Sequence, residues 1–93
     1  AAKFGVEGLT QVMSLENSSH DIRVNALDPG GIVATEAIRK IPGNKGKKML
    51  SPEIVRACAV YLASDESLGV TGRSFVATEW NEQHGIGVPY MLA

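Results

Sequence analysis

The chain has 93 residues, 44% hydrophobic and 20% charged, with nine basic side chains against ten acidic ones and a net charge of −1. Ten Gly, four Pro and one Cys without a biased tract exclude collagen-like, disordered and disulfide-stapled classes, and near-neutral charge argues against nucleic acid or an anionic membrane as partner. The longest apolar run, about seven residues from Ala57 to Ala63, is far short of the roughly 18 to 20 that a membrane helix needs.

The first residues, Ala1-Ala2-Lys3-Phe4-Gly5, carry no initiator Met, turn signal or signal-peptide pattern, so the chain is expected to begin inside a structural element, as a fragment or a processed product. From Lys3 to about Glu16, Val6, Leu9 and Val12 or Met13 recur every three to four residues, which predicts a helix with one buried face. Gly5 and Gly8 each cost up to about 1 kcal/mol in a helix interior, so close packing is expected there, within the chain or between subunits. The polar cluster Asn17 to Asp21 ends the helix; its match to a glycosylation acceptor is read as chance. Ile22 to Leu27 then alternates apolar and polar as a strand does, before a sharp turn at Asp28-Pro29-Gly30-Gly31.

Residues 36 to 50 carry five Lys or Arg among Pro42, Gly43 and Gly46 with little periodicity, and read as a mobile basic loop. Ser51-Pro52-Glu53 supplies an N-cap hydroxyl, a proline at the first helical position and an acid in the first turn, so a second helix starts there. Ile54, Val55, Cys58 and Leu62 form its buried face, to about Ser64. Cys58, the single cysteine, is expected to be a buried thiol in a reducing compartment, the cytoplasm. Gly69 to Gly72 reads as a turn, Arg73 to Thr78 as a strand, and Glu79 onward as a polar tail.

The middle of this order is one βαβ unit. A right-handed crossover helix covers one face of a two-stranded parallel sheet and leaves the other face and both edges open, so a stable monomer is not expected.

Three separated motifs now agree in order and spacing: Ala2 to Leu9, Ile22 to Gly30, and Gly69-Val70-Thr71-Gly72. Together they resemble the short-chain dehydrogenase/reductase family over about residues 1 to 78. The resemblance implies an α/β fold, the C-terminal part of a Rossmann-like doubly wound parallel sheet in the order helix, strand, loop, helix, strand, incomplete alone. Residues 1–93 would then be a C-terminal fragment of a single domain, with 36–50 its variable substrate-covering loop and 79–93 a C-terminal tail. The glycine-rich phosphate loop of that fold has no match here.

The resemblance also assigns a site. The family has a catalytic Tyr four residues before a Lys on one helix, which places both on one face. The Lys corresponds to Lys3, and the Tyr would sit two positions before Ala1. An ammonium roughly 6 Å from a phenol, at an effective dielectric of about 20, favours the phenolate by about 3 kcal/mol, or roughly two pKa units. That brings a tyrosine toward neutral pH as a proton donor or acceptor. Lys3 is implied to hold the nicotinamide ribose hydroxyls as well. Pro29, Gly30, Gly31, Ile32 and Thr35 follow a parallel strand at its carboxyl end, where open α/β sheets bind ligands. The resemblance makes them the contacts of the nicotinamide ring of NAD or NADP, with backbone groups of Ile32 and the Thr35 hydroxyl meeting the carboxamide or phosphate. Thr35 stands six residues after Pro29, where the family usually has Thr five after the Pro.

Other candidates are weaker. Gly43 to Lys48 lacks phosphate-loop spacing, and His20 and His84 lack metal-ligand spacing with Cys58, so no metal is expected. The segment Val76 to Gly85 departs from the Val-Asp-Gly-Gly common in the family. Trp80, Ile86, Val88 and Pro89 to Leu92 are apolar enough to dock on a neighbouring surface, and a homo-oligomer, dimer or tetramer, is expected. The implied activity is hydride transfer between nicotinamide and an alcohol or sugar hydroxyl or carbonyl. It belongs to a longer protein, with the N-terminal half of the domain as partner and the fragment inactive alone. The alternative is a noncatalytic, truncated interaction module.

Overall fold

The computed structural model describes residues 2–92, so the two terminal residues of the predicted span lie outside it. Helix α1 runs Ala2–Glu16 and stops where side chains take over its last carbonyls: Asn17 Nδ2 donates to Met13 O at 2.8 Å and Ser18 Oγ to Leu15 O at 3.0 Å. Asp21 then reverses the chain at φ 57°, a left-handed conformation that a short polar side chain tolerates.

Strand β1 (Ala26–Asp28) pairs in parallel with β3 (Ser74–Val76), Ala26 opposite Ser74. Between them lie a 3-10 turn at Pro52–Val55 and helix α3 (Arg56–Ala63), the predicted crossover. The predicted cap is present, with the Ser51 hydroxyl accepting from Glu53 N at 3.3 Å. Ile54 and Cys58 are fully buried, and burial pushes the free Cys58 thiol pKa up.

Both strands are shorter than the alternation implied. Before Ala26 the Gly69–Gly72 turn replaces the ladder: Val24 N donates to Thr71 Oγ1 at 3.0 Å, Asn25 Nδ2 to Val70 O at 2.9 Å, and Arg73 N to Asn25 Oδ1 at 3.1 Å. Side chains here satisfy backbone groups that a longer ladder would have paired. Past Val76, Ala77 and Thr78 belong to helix α4 (Ala77–Gln83).

The basic loop and the polar tail both contain structure that their sequences did not announce. Residues 36–50 hold helix α2 (Glu36–Arg39) and strand β2 (Lys48–Leu50), and the tail ends in strand β4 (Tyr90–Leu92). These two strands pair antiparallel, Met49 opposite Met91, and the Lys48 ammonium sits 4.2 Å over the Tyr90 ring. Leu50 also bridges to Val33, which joins this second ribbon to the end of β1. The core is Leu50, Ile54 and Ala77, with Leu27, Val33, Val55 and Val88 packed against it. Trp80 lies against Tyr61 (5.4 Å between ring centroids) and stacks on His84.

Helix α1 is where the buried-face expectation fails. Its apolar residues Phe4, Val6, Leu9 and Leu15 are 86%, 59%, 58% and 76% exposed, while the buried residues are Thr10 and Ser14. The helix docks through polar contacts: Ser14 Oγ lies 2.9 Å from Thr71 Oγ1, and Gln11 Nε2 donates to Gly72 O at 2.6 Å. A Cβ at Gly5 or Gly8 would meet no atom within 4 Å, so the close packing expected there is not made inside this chain. The reason is geometric: a two-stranded sheet covers only the narrow strip of the helix that carries Thr10 and Ser14, and the apolar residues lie outside that strip.

Candidate functional site

The site residues converge on the carboxyl end of β1. Lys3, in the first turn of α1, reaches across to Asp28, the last residue of β1, with Nζ 3.0 Å from Oδ2. The other carboxylate oxygen of Asp28 accepts from Gly30 N at 2.8 Å. The Lys3 ammonium first, and the Gly30 N–H second, hold the Asp28 carboxyl below its ordinary pKa. Lys3 and Pro29 line one cleft of about 480 Å³ between α1 and β1, with Glu7 and Asn25 also on its wall.

Gly30, Gly31 and Ile32 line a second opening of about 460 Å³, formed with Lys48, Leu50 and Tyr90 of the β2–β4 ribbon. Gly30 has φ 93°, and a Cβ there would overlap the Thr78 hydroxyl and come 2.8 Å from Val76 Cγ1. One on Gly31 would lie 2.9 Å from Leu50 Cδ1. Within this chain both glycines are therefore needed for close approach of its own elements, α4 and β2. Pro29 O, in turn, accepts from Thr78 N at 3.3 Å.

Ile32 is 65% exposed, and its carbonyl accepts from Leu50 N at 2.9 Å. Among the described residues nothing accepts from its N–H, which leaves a donor at the end of the strand. Thr35 lies apart from the others as the N-cap of α2, where its hydroxyl accepts from Ile38 N at 3.4 Å. The structure thus brings Lys3 and Pro29 to one side of the turn and Gly30 to Ile32 to the other, with Asp28 and Thr78 tying them together. Neither Asp28 nor Thr78 was singled out from the sequence. For Asp28 the signal was an acid at the carboxyl end of a strand, directly before Pro29. A cation, an unengaged backbone N–H and an exposed hydrogen-bonding turn fit the ribose and carboxamide of a nicotinamide cofactor.

A family model described as enoyl-(acyl carrier protein) reductase matches residues 1–78. A short chain dehydrogenase/reductase of Aspergillus oryzae is 38% identical over 84 residues, covering 77% of this chain and 32% of that protein. The chain belongs to the short-chain dehydrogenase/reductase family. A 3-oxoacyl-[acyl-carrier-protein] reductase of Thermotoga maritima is 38% identical over 82 residues, covering 78% of this chain and 33% of the reductase. The solved structure of a 4-hydroxyisoleucine dehydrogenase complexed with NADH superposes with a TM-score of 0.62 at 36% identity, covering 80% of this chain and 33% of that one. This short-chain dehydrogenase/reductase chain thus spans about a third of the length of the curated relatives it matches. The parallel β1–β3 pair with its crossover helix is the C-terminal part of their Rossmann-like sheet. Among the described residues no helix is long and apolar enough to cross a membrane.

Proposed function

We propose that this chain is the C-terminal part of an NAD(P)-dependent oxidoreductase that transfers a hydride between nicotinamide and an alcohol or sugar hydroxyl or its carbonyl. The observation that carries this reading is the meeting of Lys3 with the turn after β1 through Asp28, in a family member similar to an enzyme solved with NADH. When bound, the nicotinamide supplies or accepts the hydride.

This chain's residues bind the cofactor and tune the group that moves the proton. Lys3 holds the ribose hydroxyls and favours ionisation of a tyrosine one helical turn before it, which lets that phenol exchange a proton with the substrate oxygen near neutral pH. Pro29, Gly30 and Gly31 shape the wall of the ring site. The Ile32 N–H orients the carboxamide, and the Thr35 hydroxyl, whose proton remains to be donated while its oxygen caps α2, reaches the carboxamide or phosphate. The β2–β4 ribbon, with Lys48 and Tyr90 beside Gly30 to Ile32, borders the substrate side. The single-domain assignment over 1–93, with 36–50 covering the substrate, belongs to this reading.

The second reading, a noncatalytic interaction module, is favoured by the exposed apolar face of α1. In the enzyme reading that face meets the N-terminal half of the domain and a second subunit. Intact mass under denaturing conditions, followed by titration with NADH and NADPH, separates the two. A longer or complementary polypeptide that binds a reduced nicotinamide, and loses about 100-fold or more in kcat on Lys3→Met, is expected of the enzyme. A lone 93-residue species that binds neither cofactor overturns it.

A further inference from the structure

One carboxylate serves both parts of the candidate site. Asp28 Oδ2 accepts from Lys3 Nζ at 3.0 Å while Oδ1 accepts from Gly30 N at 2.8 Å, so a single short side chain joins α1 to the turn after β1. We propose that Asp28 is a positioning residue, whose carboxylate holds the Lys3 ammonium beside the Pro29-Gly30 turn and tempers the positive charge that Lys3 presents to the proton-transferring phenol. This role rests on the dehydrogenase reading above and adds a member to its site.

The geometry separates this role from that of an ordinary turn residue. The contact from Oδ1 to Gly30 N is a local loop within the turn, and an asparagine amide oxygen would make it equally well. The contact from Oδ2 to Lys3 spans 25 residues and needs the charge. Lysine carries its ammonium on a flexible four-carbon stem, so its placement depends on what the head group meets. Among the described residues Asp28 is its ion-pair partner, and the side chain of Lys3 is otherwise 87% exposed. Asp28 itself is aimed by the turn, because its second oxygen is already engaged. The turn thus determines where Lys3 points.

The sign of the electrostatic effect follows from the neighbours. The charged residues lining the cleft between α1 and β1 are Lys3, Glu7 and Asp28, and β3, paired to β1, brings only Ser74, Phe75 and Val76. Glu7 is engaged by the Ser74 hydroxyl. A carboxylate beside Lys3 opposes part of the stabilisation that the ammonium gives a phenolate. Removing it strengthens that stabilisation and lowers the pH at which the phenol ionises.

The test uses the intact dehydrogenase that contains this chain, as wild type, Asp28→Asn, Asp28→Ser and Asp28→Glu. Profiles of kcat/KM against pH are recorded with NADH or NADPH, together with cofactor binding by fluorescence. In Asp28→Asn the limb assigned to the proton-transferring group is expected to move down by roughly half to one pH unit, and KM for the cofactor to rise about three- to tenfold. Asp28→Glu, which keeps the charge, is expected to lie nearer wild type. Asp28→Ser keeps an acceptor for Gly30 N without the charge, and is read the same way if the asparagine variant does not fold. A folded charge-free variant with wild-type limb and cofactor KM overturns the positioning role alone. A wild-type protein that binds neither NADH nor NADPH overturns the dehydrogenase reading and this role with it.

Discussion

The Arg23 guanidinium donates to the fully buried hydroxyl of Ser67 at 2.6 Å, and that hydroxyl lies within hydrogen-bond distance of the carbonyls of Leu62 and Ser64, at 3.0 and 3.1 Å. Arg23 Nη1 reaches Ser64 O as well, at 3.0 Å. This cluster ties the chain entering β1 to the end of the crossover helix, 41 to 44 residues later. Ser67→Ala removes the hydroxyl and leaves a guanidinium donor and a carbonyl underused in a dry place. A loss of about 1 to 3 kcal/mol in urea unfolding is expected, whereas replacing the neighbouring exposed Leu68 by Ala is expected to change stability by less than about 0.5 kcal/mol.

Gly30 holds the turn of the candidate site through both its backbone and its lack of a side chain. Gly30→Ala places a methyl against Thr78 and Val76 at φ 93°, so steric and conformational costs add. A destabilisation of about 2 to 4 kcal/mol is expected, and under the proposed function a loss of nicotinamide binding with it. Thr78→Ala in the same chain removes the nearest collision and leaves the positive φ. Partial recovery of the unfolding midpoint is therefore the expected result, and full recovery would show that backbone conformation contributes nothing.

The Asp28–Lys3 pair makes stability sensitive to acid. The folded-state pKa of Asp28 is depressed, so the pair contributes fully above the unfolded carboxyl value of about 4 and loses its contribution as pH falls through the lower folded value. The urea midpoints of wild type and Asp28→Asn should differ by a constant amount between about pH 5 and pH 7 and converge below about pH 4. The difference is expected to be small, because the two side chains are 87% and 39% exposed and solvent screens them. It should shrink further in about 1 M salt.

The uncovered face of α1 governs how the 93-residue chain behaves by itself. Val6, Leu9, Val12 and Met13 of this helix, 59%, 58%, 51% and 42% exposed, share one side of it as apolar surface that water disfavours. In sedimentation velocity the isolated chain is expected to associate, and Val6→Gln with Leu9→Gln to shift it toward monomer with little loss of helical circular dichroism. If the N-terminal half of the domain covers this face in the proposed enzyme, the same pair of substitutions should there be destabilising, by about 2 kcal/mol or more.

Features set by neighbours in the chain were readable from the amino acids alone. The spacing of Val6, Leu9 and Val12 makes α1 a helix, Ser51-Pro52-Glu53 starts the crossover, and Asp28-Pro29-Gly30 turns the chain, because hydrogen bonds and dihedral preferences a few residues apart decide each. The family resemblance proposes one site for Lys3, Pro29 to Ile32 and Thr35, of which Lys3 meets the turn through Asp28 and Thr35 lies apart as the N-cap of α2. Contacts between distant residues were decided only by the tertiary structure. Strand β2 lies mid-chain and β4 near its end; each is three residues long and acquires its backbone partner from the other, distant in sequence, so neither shows a period of its own. Periodicity identified an apolar face on α1 but not what covers it, and this chain's narrow sheet meets Thr10 and Ser14 instead. Asp28 gained its place in the site the same way: a carboxylate before a proline is a turn residue until folding brings a lysine 25 positions earlier within 3.0 Å of it.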